Sequence, residues 1–182
     1  MRLFIGIPLA TEMIDALEAL SQRLKSADDG FRWSSPQSWH ITLQFLGETS
    51  EAASTCLSEH LKEVRSTPFY VRIDGTGFFD RAGVLFAGVS VAPELSKLQK
   101  QVVVATAHCG FVAEDRPFHP HITLARAKGG ARTRVLRQLK TKIKDGETFP
   151  AFTAHEFLLY EAFLGSGGSR YEVRQRFPLA DR

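Results

Sequence analysis

The tetrapeptide His-Ile-Thr-Leu occurs twice in this chain, as His40-Ile41-Thr42-Leu43 and as His121-Ile122-Thr123-Leu124, 81 residues apart. Each copy opens or lies within an apolar run that reads as a β-strand, 40–46 and 119–127. Side chains alternate between the two faces of a strand, so His40 and Thr42 share a face, as do His121 and Thr123. An imidazole with an ordinary pKa of about 6.5 takes up or gives away a proton near neutrality. Two such rings suit a reaction that removes one proton and delivers another, each positioned transfer contributing about 10²–10⁴ in rate. Threonine hydroxyls can donate hydrogen bonds to an oxygen on which negative charge builds, such as a non-bridging phosphate oxygen. That chemistry needs no metal, and no cofactor is expected.

The surrounding periodicities supply elements to hold these residues. Apolar positions at helical spacing recur over 11–25 (Met13, Ile14, Leu17, Leu20, Leu24), with Thr11 as the expected N-cap, and again over 50–64. A third helix opens at Pro93 with Leu95, Leu98, Val102 and Ala105 on one face. A fourth, basic helix carries Val135, Leu136, Leu139 and Ile143. Strand-like runs fall at 2–7, 69–79, 84–89, 152–164 and 171–177, with a hairpin at 80–83 and a glycine-rich turn at 165–169. Helices and antiparallel hairpins mix in this order, so the expected class is α+β. Residues 1–182 are read as one bilobal domain made of two half-repeats of about 90 residues, interleaved or sequential. Each lobe would be a mainly antiparallel sheet with helices outside, the two sheets facing across a cleft. Ile41, Leu43 and Phe45, with Ile122 and Leu124, are assigned by alternation to the helix side.

Composition narrows the class further. Of 182 residues, 43% are hydrophobic and 24% charged, which excludes a wholly disordered chain and allows a core that needs no disulfide. No run of 18 apolar residues is present, so no membrane-spanning helix is expected. Glu12 and Asp15 follow the first apolar run too closely for a targeting signal. Cys56 and Cys109 sit in no metal-binding spacing and read as buried thiols of a reduced, cytoplasmic protein. The net charge is +3, yet residues 116–144 contain nine basic and no acidic residues, leaving the rest of the chain at −6. Such a distribution suits a phosphate-bearing partner, although 134–144 alone reads as a solvated helix face.

Other residues carry weaker signals. His119 lies two residues before His121, a possible metal pair without convincing further ligands, and reads as a rim residue. His60 and His108 fall on helices with no assigned role. Phe45 and Phe118 are expected in the core, Trp33 and Trp39 are open, and Tyr160 and Glu161 can reach a cleft without any requirement that they do. Two alternatives to a two-histidine enzyme follow. One is a non-catalytic RNA-binding module using the basic stretch. The other is a metal hydrolase built on His119 and His121.

The paired motifs, with RLFIGIPL at the N-terminus, RWSSPQSWHITLQFLGE at 32–48 and PFHPHITLARAK at 117–128, resemble the 2H phosphoesterases. Within them the chain is most similar to the RNA 2′,3′-cyclic phosphodiesterases, also called 2′-5′ RNA ligases. The resemblance covers nearly the whole chain. It implies hydrolysis of RNA or nucleotide 2′,3′-cyclic phosphate ends to 2′-phosphates, with reversible 2′-5′ ligation as a side activity. The alternative within the family is a phosphodiesterase of the same fold acting on another small cyclic nucleotide derivative. It also implies His40 and His121 as the acid–base pair, Thr42 and Thr123 as phosphate donors, and Arg126 as a further phosphate or nucleotide contact. Arg126 has the opposite strand parity to His121, so simple alternation does not carry it to the same face. No membrane and no obligate protein partner is implied, and a monomer is expected.

Overall fold

The computed structural model describes residues 1–27, 29–129, 132–143, 147–165 and 168–180. Asp28, Gly130, Lys144 and the centre of the 165–169 turn therefore lie outside the described residues. Among the described residues, ten strands and four α-helices follow in chain order. The first half holds β1 (Arg2–Pro8), α1 (Thr11–Leu24), β2 (Phe31–Trp33), β3 (His40–Glu48), α2 (Glu51–His60), β4 (Phe69–Val71), β5 (Ile73–Phe79) and β6 (Val84–Val89). The second holds α3 (Pro93–Ala107), β7 (His121–Ala127), α4 (Arg132–Lys140), β8 (Phe152–Ala154), β9 (Glu156–Gly165) and β10 (Gly168–Pro178).

Two four-stranded antiparallel sheets carry the molecule, in the orders β10-β9-β1-β3 and β2-β7-β6-β5, beside a small β4-β8 ribbon. The first sheet takes strands from both ends of the chain, and the second takes β2 from between two strands of the first. Interleaving follows directly from this strand order. β3 and β7, the two motif strands, lie next to each other where the sheets meet.

Helices form where the apolar stripe demands cover. On α1, Met13, Leu17, Leu20 and Leu24 are buried, each contributing about 1.5–3 kcal/mol by leaving water. Thr11 is the first helical residue rather than the cap; Ala10 holds the extended cap position. Ser50 does cap α2, its hydroxyl accepting from the Ala53 amide. On the first sheet Leu3, Ile5 and Ile7 face the helix-side core, which also holds residues of the second sheet and of α1, α3 and α4. Phe4 turns the other way and forms a second cluster with Leu158 and Tyr160.

One expectation is overturned between α2 and α3. Cys56 and Cys109 are not separate buried thiols; they form a disulfide, with Cα atoms 5.8 Å apart, and both are partly exposed. The side-by-side packing of α2 and α3 brings together residues 53 positions apart, a proximity that spacing along the chain cannot reveal.

Candidate active site

The two motif strands share one irregularity. In β3, Ile5 pairs with Gln44 and Gly6 with Thr42, so Leu43 has no partner of its own. In β7, Leu85 pairs with Ala125 and Phe86 with Thr123, so Leu124 is the extra residue. Each is a bulge, and a bulge shifts the face on which later side chains emerge. The burial pattern is accordingly identical over both strands. His, Thr and the fifth residue after each His stand outward or half-buried, while Ile, Leu and the residue after Leu are buried.

This shift settles two parities. Arg126 emerges on the face of His121 and Thr123, close enough for its charge to act on the His121 ring. Phe45, its counterpart five residues after His40, is corrected from core to surface: it is 60% exposed and its ring lies 6.1 Å from Phe4. Gln44 takes the buried place instead and accepts a 2.8 Å hydrogen bond from Thr106 of α3.

Both histidines are held alike. The Nδ1 of His40 lies 2.8 Å from the Ser38 carbonyl, and that of His121 lies 2.8 Å from the His119 carbonyl. A carbonyl only accepts, so Nδ1 carries the proton in each ring and Nε2 is left for chemistry. Burial lowers the His40 pKa to about 4; the Ser38 carbonyl opposes this and the nearby His121 adds to it. Burial also lowers His121, against the pull of the His119 carbonyl, with help from the charges of His119 and Arg126. Each ring is thus a neutral imidazole at pH 7 until an anion arrives to favour its protonated form.

Aromatic frames fix the two rings. Phe4 stacks on Tyr160 at 4.8 Å and lies 4.5 Å from the His40 ring, while Tyr171 meets His40 edge-on at 5.1 Å. Burial and Glu156 raise the Tyr160 phenol above its ordinary range, although Arg176 opposes them. Around His121, Phe79 and Phe86 present their rings at 4.9 and 5.5 Å, and both also frame the exposed His119. Two glycines make these contacts possible. A Cβ on Gly6 would lie 2.8 Å from the Ile41 carbonyl oxygen and 3.3 Å from the His40 ring, and one on Gly77 would meet the Phe86 ring at 2.5 Å.

Sequence reasoning missed Phe4, Tyr171, Phe79 and Phe86, and it also missed Arg32. That arginine is exposed on the three-residue strand β2, directly opposite Arg126. Trp39 is buried in the core, and Trp33 donates its indole N–H to Asp29 at 2.7 Å, so neither is a free stacking platform. Phe118 packs against the core as expected. Among the described residues, no third donor joins His119 and His121. The basic stretch is not one uniform patch: Lys140 pairs with Asp80 at 2.8 Å and Arg116 with Glu114 at 2.9 Å.

Comparison with known proteins places this arrangement. Residues 9–162 match the family described as the 2′-5′ RNA ligase superfamily. A protein of Aquifex aeolicus named RNA 2′,3′-cyclic phosphodiesterase is 31% identical over 185 residues, covering 98% of this chain and 97% of its own length. The Escherichia coli protein of the same name is 31% identical over 141 residues, 77% of this chain and 75% of its own. The crystal structure of E. coli LigT in apo form superposes with a TM-score of 0.80 at 26% identity, covering 99% of this chain and 98% of that one. LigT complexed with 3′-AMP gives 0.79 at 27% identity, with the same coverage. Fold and relatives define an enzyme of the phosphodiesterase class. The chain belongs to the 2′-5′ RNA ligase superfamily, a branch of the 2H phosphoesterases.

No helix among the described residues is long and apolar enough to cross a membrane.

Proposed function

We propose that this chain hydrolyses the 2′,3′-cyclic phosphate at RNA ends to a 2′-phosphate, with His40 and His121 as its acid–base pair. The observation that carries the reading is the matched presentation of two imidazoles. Both are Nδ1-tethered to the carbonyl two residues upstream, and both stand beside a threonine on the same bulged strand.

One Nε2 takes a proton from water as its oxygen attacks the cyclic phosphorus. The other, protonated once the substrate anion is bound, delivers its proton to the departing 3′ oxygen. The P–O3′ bond breaks as the P–O(water) bond forms, leaving the phosphate on the 2′ oxygen. Thr42 and Thr123 donate to the non-bridging oxygens, where charge gathers in the transition state, and Arg126 supplies a fixed positive charge beside them. The chemistry is a proton relay and requires no Lewis acid. With the 5′ hydroxyl of a second RNA in the place of water, the same pair moves the two protons as P–O5′ forms and P–O3′ breaks, which joins the ends in a 2′-5′ linkage. A relative of this fold is named as a complex with 3′-AMP, which supports a nucleotide phosphate as occupant of the cleft. The reading makes the enzyme a monomer without a protein partner; the cytoplasmic expectation rested on two free thiols and loses that support with the Cys56–Cys109 disulfide.

The test is the regiochemistry of the product. A short RNA ending in a 2′,3′-cyclic phosphate is incubated with the protein, and the released end is assigned by phosphorus NMR. A 2′-phosphate supports the reading. A 3′-phosphate overturns the proposed leaving group, and an untouched end favours the binding-module alternative.

A further inference from the structure

Away from the cleft, the disulfide has company. On α2, Cys56 and His60 are four residues apart and so lie on one helix face, turned toward the end of α3. Cys109 lies two residues past that end, and one donor atom from each of Cys56, His60 and Cys109 lies within 4.8 Å of the other two. Among the described residues this is the one group of three His, Cys, Asp or Glu donors close enough to share an ion. His108 stands beside it, its ring stacked on that of His60 at 5.0 Å. A cavity of about 430 Å³, lined by His60, Val64, Lys100, Val104 and His108 among others, opens next to the cluster.

We propose that, once the Cys56–Cys109 disulfide is reduced, Cys56, His60 and Cys109 bind a thiophilic divalent cation of the zinc class, with His108 next to the fourth position. Two thiolates and an imidazole are the donor set such ions prefer, at about 2.3 Å for sulfur and 2.0–2.1 Å for nitrogen, which needs neighbouring donors roughly 3.5–4 Å apart. The backbone already meets this requirement, since Cα atoms 5.8 Å apart let the two sulfurs separate to that spacing by side-chain rotation alone. His60 and His108 line the cavity, and Cys56, His60 and Cys109 are all partly exposed, which leaves the donors open to solvent and ions.

The two states exclude each other. A small-molecule dithiol gives two electrons and two protons to the disulfide and leaves as its own disulfide; the S–S bond breaks and two thiols form. Binding of the cation then releases both thiol protons to solvent. In a reducing compartment the thiol form is the one present, so the cation form belongs there. The cluster lies on α2 and α3, and none of its donors belongs to the proposed catalytic set.

Cobalt(II) reports the site without reference to turnover. Fully reduced, metal-free protein titrated with Co²⁺ under argon is expected to develop a thiolate-to-cobalt charge-transfer absorption that saturates at about one ion per chain and disappears when Zn²⁺ is added. Cys56→Ser should abolish the band, and His60→Ala should weaken Co²⁺ binding by more than about tenfold. Oxidised wild type should show none. A second readout guards against variants that fail to fold: Zn²⁺ should slow alkylation of both cysteines in reduced wild type. No charge-transfer band, a band that survives in Cys56→Ser, or alkylation indifferent to Zn²⁺ would each overturn the proposal.

Discussion

Arg32 on β2 lies directly opposite Arg126 on β7, two like charges facing each other across a strand pair next to His121. Cross-strand like charges destabilise a sheet unless an anion sits between them. Under the proposed function, the bound phosphate would be the anion between them. Arg32→Gln is predicted to raise KM by about tenfold, the loss of one charge-assisted contact worth about 1.4 kcal/mol, with kcat nearly unchanged. Initial-rate kinetics on a cyclic-phosphate RNA decide it; an unchanged KM would remove Arg32 from the binding surface.

Gly6 is the residue that lets β1 pass close to His40. Gly6→Ala places a methyl carbon 2.8 Å from the Ile41 carbonyl oxygen and against the His40 ring, so β1 or β3 must shift. A displacement of this kind costs about 1–3 kcal/mol of stability. Because it moves the proposed acid–base residue His40, it is also predicted to lower kcat by about 10²-fold. Urea unfolding and single-turnover rates measure the two effects, and a variant with wild-type kcat would show that His40 tolerates displacement.

Much of this architecture was legible in the chain. The twin motifs, the α+β class and most helices followed from periodicity, because each is a local signal of many residues. What escaped depended on tertiary register. A bulge at Leu43 and another at Leu124 turned Phe45 out of the core and Arg126 onto the face of His121, and alternation alone has no means of placing a bulge. β2 and β8 are three residues each, too short to show a period. The frame around His40 comes from Phe4, Tyr160 and Tyr171, on three strands distant in sequence. The pairing of Cys56 with Cys109 came from helix packing in the same way.

The lowered His40 pKa has a thermodynamic signature. Above about pH 6.5 the ring is neutral in both folded and unfolded chains and contributes no pH dependence. Between there and about 4 the unfolded chain binds the proton and the folded one does not, so stability falls as pH falls. Below about 4 both states are protonated and this contribution levels off. Thermal melts from pH 7 to 4 should therefore show a slope that His40→Asn reduces. Equal slopes in the two proteins would mean that His40 is not held neutral by its surroundings.

Reduction bears on stability as well. Closing a 53-residue separation constrains the unfolded chain, for which the loop-entropy estimate is about 4 kcal/mol. Reduced, metal-free protein is predicted to unfold at lower urea than the oxidised form. Superimposable unfolding curves would show that the two cysteines are not joined in the oxidised protein.

The central claim is that His40 and His121 act as one proton-transfer unit without a metal. It is tested most directly by single-turnover hydrolysis of a cyclic-phosphate RNA in excess EDTA, with wild type, His40→Ala, His121→Ala and the double variant side by side. The prediction is full wild-type activity, a loss of about 10²–10⁴ in each single variant, and a double variant hardly worse than either, because a relay missing one member is already broken. Activity that vanishes with EDTA in the wild type, or a single variant that keeps its rate, would contradict it.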